Sequence, residues 1–300
     1  VRQELTEKLG YVIPHIHFHN SDELMQNEFN IKIHDIEVFR SVVFPDFIAF
    51  YKEELKGYKL TEDDYQIVDE ITGKKMVWIQ KDKVKDFWIK GMSPAEYIGE
   101  AIKYIAVREV SDIMDYNDIN KYVEKVIETN SFLVDNIIPD FITASDLKYL
   151  LTCLIREQVS VKNIVYIFEK INDYANEPTK EDLLDKVRLA LSKHIIKDLA
   201  ENNELKVIEF SDETLDKIYS FFKEDEDEAI VRIEANDVQD IVDRIGKFAK
   251  SKKIENPILV VPMDIRHMVF VILAEFVRNI TVLAHEELVS DYNIKFVGKV

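Results

Sequence analysis

The sequence predicts a mixed α+β chain that finishes in an α/β unit with a largely parallel sheet. Three observations predict it. Strand-like segments dominate the first 90 residues, capped helical patterns run from Ser93 to about residue 200, and strands alternate with helices from Leu205 onward.

The elements follow in order. Ile31, Ile33, Ile36 and Val38 form a β-like stretch after Asn27-Glu28-Phe29, and Met76–Ile79 is a short strand entered through a Thr72-Gly73 turn. The period then changes. Ser93-Pro94-Ala95-Glu96 is a capping box with Pro at the first helical position, and Tyr97, Ile98, Ala101, Ile102 and Ile105 share one helical face. Asp118–Thr129 is a second helix. Thr143 to Asp146 caps a third, carrying Leu147, Leu150, Leu151 and Leu154. Ser160 opens a fourth with Ile164, Ile167, Phe168 and Ile171, and Thr179 to Asp182 caps a fifth with Leu183, Leu184, Val187 and Leu191. The last hundred residues read as strand Leu205–Phe210, helix Asp212–Phe222, strand Ile230–Ile233 and helix Asp237–Ser251. Strand Ile258–Val261, helix Asp264–Phe276, strand Ile280–Leu283 and strand Ile294–Val297 complete them. Such alternation builds a parallel sheet.

Composition narrows the function. The 300 residues hold 57 acidic and 39 basic side chains, a net charge of −18, which repels nucleic acid and anionic membranes. The acidity peaks at Glu224–Glu228, expected as a solvated loop or helix end. Only 7 glycines occur, and no G-x-G-x-x-G or G-x-x-x-x-G-K motif, so no phosphate-cradling loop is expected. The single Cys153 excludes an intrachain disulfide framework and a thiolate zinc cluster. The longest clean apolar run, Met268–Ala274, is far shorter than the roughly 20 residues that span a bilayer. No signal peptide opens the chain.

Few side-chain constellations carry chemistry. His15, His17 and His19 form an H-x-H-x-H; on a strand, alternate residues share a face, so three imidazoles could converge on one metal and support a hydrolase. The other reading is a solvent-facing strand with Ile16 and Phe18 turned inward. Leu147–Leu154 and Ile164–Ile171 resemble a helix-turn-helix whose second helix opens at Val161–Tyr166. Lys162 is its only early base reader, in acidic surroundings, so the pair reads as a packing motif and not as an acidic transcription regulator. Pairs such as Asp63-Asp64 and Glu286-Glu287 are expected by chance among 57 acids. Cys153, beside Leu150 and Leu154, reads as buried packing. Trp78 and Trp88 are core or interface residues. No cofactor is expected.

Several blocks, in order along the chain, resemble a known family. They are Gly10-Tyr11 to Pro14, Asn27-Glu28-Phe29 to Val38, Val77-Trp78-Ile79, and Ile155 to Ile164 with Ile167-Phe168-Glu169 and Asp173-Tyr174. Leu183-Leu184, Val187 to Leu191, Ile195, Pro257 to Val260, Val282-Leu283, Glu286 to Leu288 and Val297-Gly298 continue them. Together they are similar to the cytoplasmic portion of the large export-gate component of flagellar and virulence type III secretion systems, the FHIPEP family.

That resemblance implies a docking platform without catalytic activity, at the cytoplasmic face of the bacterial inner membrane. It assembles as a nine-membered ring and binds export chaperone–substrate complexes and soluble export components such as the ATPase complex, not nucleic acid. The full-length protein then spans the membrane, and Val1 in place of an initiating Met fits a piece of it. Four small subdomains are implied: 11–47 plus 97–113, an inserted 48–96, a mainly helical 114–193 and an α/β 194–300, with 1–10 as a linker end. The flagellar version is favoured by the block Ile155–Ile195, with the injectisome paralogue as the alternative. In flagellar members a cleft between the first two subdomains receives chaperones. Its Asp falls on Asp69, before the strand carrying Trp78, while its Phe is replaced by Thr72 and its Thr by Glu100. The family's Arg-Asp-Asn after the first strand becomes His19-Asn20-Ser21. The replacements at Thr72 and Glu100 favour the injectisome paralogue.

Overall fold

The computed structural model describes residues 1–84, 89–221, 224–225, 228–229 and 235–300. Trp88, the strand expected at Ile230–Ile233, the helix end at Phe222 and part of the acidic run Glu224–Glu228 lie outside them. The chain divides into two compact units, Val1–Phe168 and Glu169–Val300.

The first unit opens with α1 (Arg2–Leu9), which the strand-rich reading of this region misses. Only Leu5 and Leu9 are buried, one turn apart in an otherwise polar segment, so its helical period is faint in the sequence. Gly10 ends it at φ 73°, and a Cβ there would stand 2.7 Å from the Lys162 backbone N, so only glycine fits. The β-like stretch expected across Ile31–Val38 is two strands, β1 (Glu28–Ile33) and β2 (Ile36–Val42), paired antiparallel. His34 and Asp35 turn the corner at φ 49° and 65°, the doubly positive geometry that matches strand twist.

Next come β3 (Phe47–Tyr51), β4 (Tyr65–Val68) and β5 (Lys75–Gln80), an antiparallel sheet of order β3-β5-β4. The central β5 is buried on both faces. Met76 and Trp78 lie on one side with Ala49 and Tyr97, while Val77 and Ile79 lie on the other with Phe50. Helix α2 (Pro94–Arg108) has the expected capping box, Ser93 Oγ accepting from the Glu96 N–H. It packs two ways. Tyr97 faces the three-stranded sheet, while Ala101 and Ile105 pack on Phe39 and the β1–β2 hairpin.

Helices α3 (Val110–Ile113), α4 (Tyr116–Asp135), α5 (Ala144–Arg156) and α6 (Ile164–Asp173) follow. Helix α4 runs beyond the expected Asp118–Thr129 and breaks at Asn130. Leu147, Leu150, Leu151 and Leu154 are buried as expected, but Cys153 is only half-buried, at the edge of that face. Helix α6 begins at Ile164 and not at Ser160. The preceding residues are engaged by α1: the Val161 N–H donates to Leu9 O at 2.8 Å and Lys162 Nζ to Glu7 O at 2.7 Å.

In the second unit α7 (Lys180–Leu199) starts on the predicted Thr179 cap. Then come β6 (Glu204–Glu209), α8 (Asp212–Ser220), the two-residue pair β7 (Glu224–Asp225) and β8 (Glu228–Ala229), and α9 (Ala235–Lys252). The unit closes with β9 (Ile258–Val261), α10 (Met263–Ala274), β10 (Thr281–Ala284) and β11 (Asn293–Lys299). The sheet order is β10-β9-β6-β11 and every pairing is parallel, as the alternation requires. All four β9 residues are buried, the signature of a parallel strand covered on both faces. Two buried cations are matched by carboxylates: Arg188 Nε lies 3.1 Å from Glu287 Oε1, and Arg266 Nη2 lies 2.9 Å from Asp185 Oδ1. Burial holds the Asp185 carboxyl above the usual carboxylate range despite Arg266.

Candidate functional site

Asp69 follows β4 at the turn into β5, and its side chain is completely buried. A buried carboxylate requires donors, and the fold supplies at least five. The turn gives Ile71 N–H at 3.0 Å, Thr72 N–H at 3.1 Å and the Thr72 hydroxyl. Strand β3 gives the Tyr51 hydroxyl at 3.2 Å, and α2 gives the Tyr97 hydroxyl at 2.9 Å. Tyr97 Oη also lies 3.1 Å from Ser41 Oγ on β2. One network therefore joins the hairpin, the three-stranded sheet and α2. Burial, with the nearby Asp69 charge, pushes the Tyr97 hydroxyl well above the ordinary tyrosine range and the Tyr51 hydroxyl up to about 12, so both remain donors.

Trp78 is fully buried one strand away. Its ring meets Tyr97 edge-on at 5.8 Å and Phe44 at 5.7 Å. Phe44 stacks on Tyr65 at 4.1 Å, nearly parallel at 3°, and Phe47 abuts Tyr65 at 5.2 Å. Tyr65 is 48% exposed, so an aromatic shelf climbs from buried Trp78 to the surface. Asp69 and Trp78 thus shape this surface from beneath.

Thr72 is half-buried and is spent on the turn, its hydroxyl bonding Asp69 and accepting from Lys74 N–H at 3.3 Å. Glu100 is exposed and turned toward α1. Lys103 Nζ bridges it, at 2.6 Å, to Glu4 at 2.8 Å. Burial works against that ammonium, but Glu100 and Glu4 outweigh it and raise its pKa; the hydrogen bond from Lys103 in turn lowers that of Glu4. The structure therefore brings Asp69, Thr72 and Trp78 into one assembly through Tyr97, while Glu100 belongs to the α1 side. Phe44, Tyr65 and Tyr51 are the residues that sequence reasoning misses, and it reads Tyr97 only as part of a helical face. The trace of the first three in the sequence is aromatic density across 44–51 and at 65.

The histidine reading does not hold its geometry. Residues 11–21 form no strand, so alternate side chains share no enforced face. His17 and His19 stack at 6.3 Å and His15 lies 3.4 Å from Arg2 Nη1. Among the described residues no group of three or more His, Cys, Asp or Glu side chains is arranged to hold a metal. The helix pair is likewise engaged, since Lys162 is bound to α1.

Known proteins show the same fold. The chain is 26% identical over 311 residues to the flagellar biosynthesis protein FlhA of Bacillus subtilis (strain 168), covering 100% of this chain and 45% of that relative. It spans about half the length of the curated relatives it matches. The Chlamydia pneumoniae CdsV protein, solved as a CdsV and CdsO complex, superposes with a TM-score of 0.81 at 19% identity, covering 100% of this chain and 88% of that one. The nonameric EscV cytosolic domain from the type III secretion system gives 0.73 at 18% identity, covering 100% and 90%. Among the described residues no helix is long and apolar enough to cross a membrane. The FHIPEP family model matches residues 1–293, and the chain belongs to the FHIPEP family.

Proposed function

We propose that the chain is a ring-forming docking platform of a type III protein export gate, on the cytoplasmic side of the bacterial inner membrane. It recruits chaperone–cargo complexes and soluble export components by binding, and it catalyses nothing. The observation that carries this reading is the family membership joined to the Asp69-centred turn, which holds an aromatic shelf at the surface where the resemblance puts the docking cleft. The flagellar version is favoured by the FlhA relative. The injectisome version keeps one specific support, the replacement of the cleft's Phe and Thr by Thr72 and Glu100. A nine-membered ring follows by analogy with the nonameric EscV domain, and a protein partner corresponding to CdsO by analogy with the CdsV and CdsO complex.

Within the four-subdomain division, 11–47 plus 97–113, 48–96, 114–193 and 194–300, the separation of the first two is supported by separate sheets in the first unit, while the Phe168/Glu169 boundary falls inside 114–193. The β1–β2 hairpin packs on the later part of α2, and the β3-β5-β4 sheet is inserted between them in sequence. In this reading Asp69, Thr72 and Trp78 shape the cleft while Phe44, Phe47 and Tyr65 supply apolar contact, with Glu100 as a charged rim. The test is titration of purified export chaperone–cargo complexes against the wild type and Tyr65→Ala, alongside negative-stain imaging for rings. Tyr65→Ala weakens docking about tenfold or more, the size of a lost aromatic anchor. Undiminished binding by Tyr65→Ala sinks the shelf as the docking surface. Complete absence of binding to the wild type sinks the platform reading.

A further inference from the structure

The sheet next to the aromatic shelf has one edge closed and one open. Strand β3 turns its outward backbone groups at Ala49 to Met92, which both donates to and accepts from it at 2.8 Å. Strand β4 is the other edge. The Asp69 N–H bonds Lys74 O at 2.8 Å, and the register pairs Tyr65 with Trp78 and Ile67 with Met76. In an antiparallel ladder bonded pairs alternate. Tyr65 and Ile67 therefore spend their backbone groups on β5, and Gln66 and Val68 point theirs outward. Among the described residues no backbone group meets them.

Natural edges are blunted by Lys, Pro, bulges or cover. The β1–β2 hairpin has a bulge at Ile31/Lys32 and charged Lys32 and Arg40. Strand β4 reads Tyr-Gln-Ile-Val, with Tyr65 and Val68 48% and 56% exposed. Its own sequence is acidic, residues 61–70 holding five Asp and Glu and no Lys or Arg, with Lys83 reaching in to Asp63 and Lys52 to Gln66. Two copies meeting antiparallel at this edge would set Glu62 and Asp63 of one near Glu70 of the other, so like charges oppose self-pairing. An extended segment with basic ends meets no such barrier.

We propose that β4 is a strand-addition site. It takes an extended basic peptide of a protein partner, with apolar residues at alternate positions and Lys or Arg at its ends, as a fourth strand beside Tyr65 and Val68. The inference rests on the reading of the chain as a docking platform and adds the chemistry of the segment it grips. Main-chain bonds to Gln66 and Val68 hold the peptide in a sequence-tolerant way, and Tyr65 and the acidic flanks choose its side chains.

The test uses fluorescein-labelled Lys-Val-Thr-Val-Thr-Val-Lys and the same peptide N-methylated at alternate residues, titrated against the full chain by anisotropy. Hydrogen exchange is followed at the Gln66 and Val68 amides. Val68→Pro removes an outward donor and leaves the β5 ladder intact, and Val68→Thr keeps the donor as its control. Expected results are saturable binding, slowed exchange at both amides, loss of binding on N-methylation, and about tenfold weakening in Val68→Pro but not in Val68→Thr. Equal binding to Val68→Pro and wild type of unchanged melting temperature, or no binding at all, overturns the proposal. Self-association through β4 overturns its choice of occupant. A chaperone–cargo complex that binds wild type and Val68→Pro equally removes the edge from docking and leaves the platform reading standing. If that complex fails on wild type while the peptide binds, the platform reading falls alone.

Discussion

Removing the Asp69 carboxylate tests the centre of the candidate site. Asp69→Ala takes an acceptor from five donors at once. Bonds to a charged group are worth about 1.5–3 kcal/mol each, so a naive sum reaches roughly 10 kcal/mol. Two effects cut it down. Tyr51, Ile71 and Thr72 are half-buried and can turn to water, leaving only Tyr97 fully buried, with Ser41 as its remaining partner. Deleting the carboxylate also removes its own burial penalty of several kcal/mol. The net expectation is about 3 kcal/mol of destabilisation, set chiefly by the Tyr97 hydroxyl and the loosened turn. Tyr97→Phe, which deletes a donor and strands little, costs about 1 kcal/mol. Asp69→Asn falls between, because its amide keeps one acceptor but turns a donor toward other donors. Urea unfolding followed by tryptophan fluorescence measures all three, since Trp78 is buried in the first unit. An Asp69→Ala stability within about 1 kcal/mol of wild type at unchanged slope refutes the claim that this carboxylate organises the network joining β3, its own turn and α2. On the proposed flagellar reading, cells whose full-length protein carries Asp69→Ala lose motility, and retained motility counts against that reading.

Other predictions follow from particular geometries. Gly10→Ala forces a left-handed residue into the Lys162 backbone and costs about 2 kcal/mol or more, read as a lowered unfolding midpoint; a neutral result refutes the tight α1 seat. The Glu37 carboxyl, held down to about 2 by the Arg40 and Asn30 hydrogen bonds, titrates near that value by carbon NMR. Its folded pKa lies below its unfolded one, so its contribution is present above the ordinary carboxylate range and is lost as pH falls toward about 2. Arg40→Ala raises the Glu37 midpoint. Arg188→Met leaves Glu287 buried without its counter-charge and costs about 3–5 kcal/mol, while adding Glu287→Leu recovers much of it; thermal melts of the single and double variants decide. On the proposed docking role, with basic partner segments meeting a chain of −18 charge, affinity for chaperone–cargo complexes falls as salt rises from low to physiological; a flat profile removes electrostatic steering.

The sequence by itself determined whatever depends on neighbours a few residues away. Ser93, Thr143 and Thr179 cap the helices predicted for them, because a cap needs only the N–H three residues on. The parallel β10-β9-β6-β11 sheet was legible as a parallel sheet from the alternation of strand and helix. What sequence alone left undecided is set by groups far apart in the chain. Helix α1 is seated by contacts to Lys103, Tyr122 and Val161, over separations of about a hundred residues or more, so two leucines in a polar segment gave it no period. Asp69 is identifiable from a family motif, but its burial beneath Tyr51 and Tyr97 depends on bringing β3 and α2 onto one turn. The histidines show the reverse. Their spacing would matter only on a strand, and with no partner strand to impose the alternation, three suggestive residues stay an open loop. Tertiary packing decides which side chains are covered and which edge stays open, because burial is a property of surfaces meeting and not of any one segment.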